Sequence, residues 1–205
     1  MTLVELIGPP GAGKSATADA LVKVTSLNLI NLGERRDLQG RKLSVITRRF
    51  QWVAACATRP GLARATGEVR TGTPDVDRQL LEVVRRDMLL RRLPAVDRPY
   101  LIDDGSWHAA MWSSALAGRT QLPSSISSRL YRPDLLVHVT TDCAESWRRV
   151  LRDGGRESFV RRTRDEVLDA LGRYNRMVDD LGVRVTVVSS SADAVGVILD
   201  WLRRD

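Results

Sequence analysis

Short apolar runs alternate with segments of helical period along the whole chain. Leu3 to Ile7 is apolar but for Glu5 and ends in a glycine turn, and Lys14 to Val24 has an alanine-rich helical composition, so the chain opens as strand, loop and helix. A second apolar run, Leu27 to Leu32, ends at Gly33 and predicts a second strand. Residues 41 to 57 and 76 to 93 read as helices; Val76, Leu80, Val83 and Val84 fall on one face of the second, and Pro94 is expected to end it. Tyr100-Leu101-Ile102 runs into Asp103-Asp104-Gly105, the pattern of a buried strand that delivers acidic side chains at its carboxyl end. Leu135 to Val139 and Val183 to Val188 are two further strands, with helices expected over Ala144 to Asp153 and from Arg164 to Leu181.

Five short apolar strands separated by helices predict an α/β fold with a five-stranded parallel sheet covered on both faces, because parallel strands need crossovers and right-handed crossovers dominate. Ligands of such sheets bind at the carboxyl ends of the strands. The glycine-rich and acidic turns should therefore converge on one edge. No repeat, low-complexity tract or linker divides the sequence, and residues 1–205 read as one domain.

Composition changes this picture little. Apolar residues make up 43% and charged residues 28%, as in an ordinary globular protein. The net charge of +7 raises the question of a polyanionic partner. Only Lys14, Lys23 and Lys42 are lysines, and arginines dispersed over the chain carry the basicity, which argues against a nucleic-acid-binding tail and for a solvated surface with room for an anionic small molecule. Cys56 and Cys143 stand far apart without metal-ligand spacing and read as small core residues. The N-terminus has no signal-peptide pattern, and no window approaches the roughly 18 apolar residues of a membrane span, so a cytoplasmic protein without a membrane partner is expected.

Gly8-Pro9-Pro10-Gly11-Ala12-Gly13-Lys14-Ser15 fits Gly-x-x-x-x-Gly-Lys-Ser/Thr at every fixed position, between a strand and a helix as that motif requires. Glycines let the backbone curl so that consecutive amides, through Ala16, point at phosphate oxygens, and the positive end of the helix adds to the attraction. Lys14 supplies charge to the outer phosphates, and the Ser15 hydroxyl is a ligand for magnesium. A second protein anchor for the metal is expected at the end of another strand; Asp103 or Asp104 fits, with Asp103 favoured because it directly follows the apolar run. Arg148, Arg152 and Arg156 fall at steps of four, and with Arg161, Arg162 and Arg164 beyond Gly154-Gly155 they could close over a triphosphate; the alternative is a solvated basic helix.

The phosphate loop, the Asp103-Asp104-Gly105 turn, the Pro133-Asp134-Leu135-Leu136-Val137-His138-Val139 strand and the arginine-rich segment together resemble the P-loop nucleoside and nucleotide kinases, thymidylate kinase-like in layout. That resemblance spans nearly the whole chain in element order, though only the loop is specific to it. It implies a three-layer α/β/α fold with the Asp103 strand beside the phosphate-loop strand, and an arginine-bearing lid near residues 148 to 164. It also implies transfer of the γ-phosphoryl group of ATP, with Lys14, Asp103, Arg148 and Arg152 as catalytic groups and Mg²⁺ held by Ser15 and Asp103. A homodimer is compatible with it. The sequence departs from that pattern after the second strand, where Gly33-Glu34-Arg35-Arg36-Asp37 matches neither a nucleoside-kinase base nor the thymidylate-kinase motif; Glu34 and Asp103 are both candidate bases, and Arg35 could hold an anionic group.

Trp107, His108 and Trp112 read as core more readily than as an acceptor pocket, and Ser189 to Ser191 as a polar turn. The resulting expectation is phosphoryl transfer to a nucleoside, nucleotide or hydroxylated metabolite. Its rivals are a nucleotide-dependent switch or hydrolase with a protein partner, for which no Asn-Lys-x-Asp element is present, and a nucleic-acid-associated ATPase, for which only the net charge speaks.

Overall fold

The computed structural model describes residues 2–32, 44–152, 162–181 and 185–204. Five strands, β1 (Leu3–Ile7), β2 (Asn28–Asn31), β3 (Tyr100–Asp103), β4 (Leu135–Val139) and β5 (Val185–Val188), form one sheet in the order β2-β3-β1-β4-β5. Every pairing is parallel, and register places Leu6 beside Asp103 and Ile7 beside His138. The strand bearing Asp103 therefore lies next to the strand feeding the glycine loop, as expected.

The helices are α1 (Lys14–Val24), α2 (Val45–Thr58), α3 (Pro60–Glu68), α4 (Pro74–Leu90), α5 (Ser106–Leu116), α6 (Ser124–Ser127), α7 (Cys143–Arg152), α8 (Arg164–Asp179) and α9 (Ser191–Leu202). Alternation along the strands sorts them into two layers. Val4, Leu6, Leu101, Val137 and Val139 face α1 and α9, where Ala18, Leu21, Ala194 and Ile198 complete one core. Leu3, Ile7, Ile30, Ile102 and Leu136 face the opposite core, built with α4, α5 and α8 through residues such as Val83, Trp107, Met111 and Leu171. This is the three-layer α/β/α arrangement. Among the described residues, no helix is long and apolar enough to cross a membrane.

Some boundaries differ from the expected ones. Helix α4 ends at Leu90 rather than running to Pro94, as Arg92 and Leu93 turn back to the carbonyls of Leu89 and Leu90. Helix α3 was not anticipated; it opens on Pro60, and Gly61 and Gly67 dilute the apolar pattern that would have announced it. Cys56 and Cys143 are free but only partly buried, packed at the margin of the larger core rather than inside it.

The helix starts show where the fold reserves backbone donors. Ser44 caps α2, Ser190 caps α9, and Thr163 with Glu166 forms a capping box on α8. The Asp142 carboxylate accepts from the amides of Ala144 and Glu145 at the start of α7. Helices α3 and α4 open on proline. Helix α1 has neither proline nor a side-chain cap: its N-cap is Gly13, left-handed at φ 100°.

Gly11 and Gly196 offer a direct contrast. Gly11 has φ +82°, and a Cβ there would stand 2.5 Å from the Ser146 carbonyl oxygen, whereas a Cβ at Gly196, inside α9, meets nothing. Chemical denaturation should show Gly11→Ala destabilised by more than about 1 kcal/mol and Gly196→Ala stabilised by about 0.5–1 kcal/mol.

Candidate active site

The glycine loop crosses the carboxyl end of the sheet between β1 and α1. Gly8, Gly11 and Gly13 all have positive φ, and the Ala12 amide donates to the Pro9 carbonyl at 3.1 Å, which curls the turn. Gly8 lies so close to the Val139 carbonyl that no side chain fits there, and Gly11 packs on the first turns of α7. Lys14 is 4% exposed. Its ammonium folds back over the loop, donating to the Gly8 carbonyl at 2.9 Å, and it stands 3.6 Å from Asp104 Oδ1.

At the end of β3 the two aspartates part company. Asp103 Oδ2 accepts from Ser15 Oγ at 2.8 Å and from Asn31 Nδ2, at the end of β2, at 3.2 Å. Asp104 adopts a left-handed φ of 59°, which an aspartate tolerates better than most side chains, and this turns its carboxyl toward Lys14 and His108 instead. Arg86 of α4 pins the turn from behind, its Nη1 donating to the carbonyl oxygens of Asp104 and Gly105.

Ser15 and Asp103 thus set a hydroxyl and a carboxylate side by side at the mouth of the loop. Two oxygen donors suit magnesium, which keeps several waters and takes its remaining ligands from substrate phosphates. Among the described residues no group of three or more His, Cys, Asp or Glu side chains forms an all-protein metal cage.

Behind the loop lie groups that the sequence reading passed over. Glu5, wholly buried on β1, accepts the amides of Trp107 and His108 on Oε1 and so takes the place of a side-chain cap on α5. Gly105 is required by this close approach, since a Cβ there would fall 2.5 Å from Glu5 Oε1. Burial pushes the Glu5 carboxyl up to about 8; the two amides and the Arg86 charge counter this in part, and Asp104 adds to it. His138, near the end of β4, is driven down to about 4 by burial and by the Lys14 charge, so its imidazole is neutral at pH 7. Tyr174 of α8 is fully buried, and its hydroxyl accepts the Gly8 amide at 3.0 Å.

The arginines of α7 divide differently from the sequence expectation. Arg149 reaches the loop, with Nη1 at 3.4 Å from the Gly11 carbonyl and Nε bound to Glu145. Arg148 has a largely exposed side chain paired with Glu145, and Arg152 lies at the exposed end of the helix. Glu34, Arg35, Gly154, Gly155, Arg156 and Arg161 lie outside the described residues. Trp107 and Trp112 are core residues as expected, Ser190 serves as a helix cap, and His108 is buried in contact with Asp104.

No family model matches the chain, and no curated protein matches it. Solved structures do. A deoxyadenosine kinase from M. mycoides with bound dATP superposes with a TM-score of 0.63 at 9% identity, covering 98% of this chain and 100% of that one. The same enzyme with products dCMP and a flexible dCDP gives a TM-score of 0.61 at 12% identity over 99% of both chains. A shikimate kinase from Acinetobacter baumannii gives 0.56 at 16% identity, covering 100% of this chain and 94% of that one. The chain has the fold of the P-loop nucleoside and nucleotide kinases.

The buried Glu5 carboxyl has a measurable signature. An unfolded chain loses this proton near pH 4.5, whereas the folded protein keeps it up to about pH 8. Its contribution to stability is therefore fully present below pH 4.5 and is lost progressively as pH rises to about 8, by an amount of order a few kcal/mol. Denaturation of Glu5→Gln across this range should lack that slope, so that the variant gains on the wild type as pH rises.

Proposed function

We propose that this protein is a Mg-ATP-dependent phosphotransferase that moves the γ-phosphoryl group to a small acceptor: a nucleoside, a nucleotide or a hydroxylated metabolite. The observation that carries this reading is the junction of the glycine loop with β3, where Lys14, Ser15 and Asp103 converge on the uncapped start of α1. The likeness in fold to kinases that act on deoxyadenosine and shikimate supports a small acceptor over a macromolecular one.

In this reading the loop from Gly8 to Ala16 holds the phosphates, through the amides of Gly11 and of Gly13 to Ala16, and Lys14 leaves the Gly8 carbonyl for the outer phosphate oxygens. Ser15 and Asp103 would hold magnesium, directly or through water, with Asn31 fixing the orientation of the carboxylate. A metal held there would supply positive charge to the phosphates of the nucleotide. Arg148 and Arg152 are assigned to a lid near residues 148 to 164, with Arg149 as the arginine that meets the loop. A phosphate acceptor needs no base. A hydroxyl acceptor needs a carboxylate, for which Asp103 and Glu34 are the candidates. The assignment of residues 1–205 to one domain and of the protein to the cytoplasm belongs to the same proposal.

Beyond the carboxyl end of β2 lies a largely buried polar cluster of α4 and α2. Glu82 of α4 binds Arg85 through Nε and Nη2, accepts from Trp52 of α2 and pairs with Arg48, whose guanidinium stacks on the Trp52 ring at 4.5 Å. Arg85 also donates to the Leu32 carbonyl. The guanidinium groups around Glu82 hold its carboxyl below the usual range although burial opposes this, so the carboxylate stays charged.

The test is ADP release from Mg-ATP against a panel of nucleosides, nucleoside monophosphates and hydroxylated metabolites. Acceptor-dependent release is expected, reduced by about 10²–10³-fold or more in Lys14→Ala and abolished by chelation of magnesium. Unchanged turnover in Lys14→Ala would refute the mechanism. Slow hydrolysis insensitive to every small molecule but stimulated by a protein would replace it with a switch.

A further inference from the structure

The groups behind the loop form a closed circuit of hydrogen bonds and close ionic contacts. The Gly8 amide donates to the Tyr174 hydroxyl at 3.0 Å, and that hydroxyl lies 3.0 Å from His108 Nδ1. His108 Nε2 lies 3.2 Å from Asp104 Oδ1, which stands 3.6 Å from Lys14 Nζ, and Lys14 returns to the Gly8 carbonyl at 2.9 Å. Tyr174 is fully buried, and Lys14, Asp104 and His108 are nearly so. Two points of the loop backbone and its lysine are thus linked through side chains from the turn after β3, from α5 and from α8.

One assignment of protons suits these contacts. With the tyrosine oxygen accepting the Gly8 amide, it sends the phenol proton to Nδ1. The imidazole then carries its proton on Nε2, the nitrogen that faces Asp104 Oδ1 at 3.2 Å. Burial holds the Tyr174 hydroxyl well above its ordinary range, so it remains a neutral donor and acceptor.

We infer that His108, oriented by Tyr174, is a positioning residue for Lys14: it fixes the Asp104 carboxylate that sets where the lysine ammonium stands before phosphate arrives. This rests on the nucleotide-binding reading above. Neither His108 nor Tyr174 need touch the nucleotide. Asp104 sits in a left-handed turn, and the imidazole on the first turn of α5 meets, at 3.2 Å, the same Oδ1 that faces Lys14 Nζ at 3.6 Å.

A residue that acts through Lys14 must lose its effect when Lys14 is gone. The affinity for a fluorescent Mg-ATP analogue should therefore be measured in wild type, His108→Leu, Lys14→Ala and the double variant, with Tyr174→Phe as the replacement for His108→Leu if that protein does not fold. The expected result is a three- to ten-fold weakening by His108→Leu in the wild-type background, a coupling of about 1 kcal/mol, shrinking to less than two-fold in Lys14→Ala. Equal weakening in both backgrounds would mean general loosening of the loop and would overturn the inference, as would unchanged affinity in His108→Leu. A wild type that binds no nucleotide would instead overturn the nucleotide-binding reading itself.

Discussion

A lysine ammonium held almost out of water at the end of a parallel sheet is the constraint from which the rest of this structure follows. An isolated buried charge costs several kcal/mol unless it is paired and hydrogen-bonded. Lys14 is satisfied from two sides, by the carbonyl of Gly8 and by the carboxyl of Asp104. Asp104 can serve only from a left-handed turn, and that turn is held in place by Arg86 on its carbonyl and His108 on its carboxyl. Gly105 must be glycine because the Glu5 carboxyl occupies the space a side chain would need. Sequence features that look unrelated, an acidic residue in the first strand, a glycine after two aspartates and a tyrosine in α8, answer one electrostatic problem.

The two aspartates at the end of β3 show how one turn serves two purposes. Asp103 continues the strand, so its side chain lies among Ser15 and Asn31 at the mouth of the loop. Asp104, one residue later and with φ reversed, points toward the lysine and α5. The change in backbone hand separates a carboxylate suited to a metal from one suited to an ammonium, although the two are adjacent in sequence.

Much of the fold was legible because it rests on periodicity. Every strand was visible as a short apolar run, and the parallel arrangement followed from the helices between them. The loop was legible because its glycines, lysine and serine stand at fixed local spacing, and the glycines answer a need for positive φ that shows in the sequence itself. What escaped the sequence depends on contacts across long separations. Tyr174 meets Gly8 over 166 positions, and nothing local distinguishes it from the core residues Leu171 and Val178 that flank it. Glu5 left a signal, a single carboxylate in an otherwise apolar buried strand, but its partners lie about 100 residues away. Arg149 rather than Arg148 meets the loop because of the rotation of α7 about its axis, which steps of four alone do not fix.

The position of the metal is the most direct test of the account. Crystals grown with a non-hydrolysable ATP analogue and Mn²⁺ in place of magnesium would reveal the ion by its anomalous scattering. The account predicts a single peak between the β- and γ-phosphates, within direct or one-water reach of Ser15 Oγ and the Asp103 carboxylate, with Lys14 turned onto the phosphates. A metal bound to Asp104, or a triphosphate lying away from the loop of Gly8 to Ala16, would contradict it.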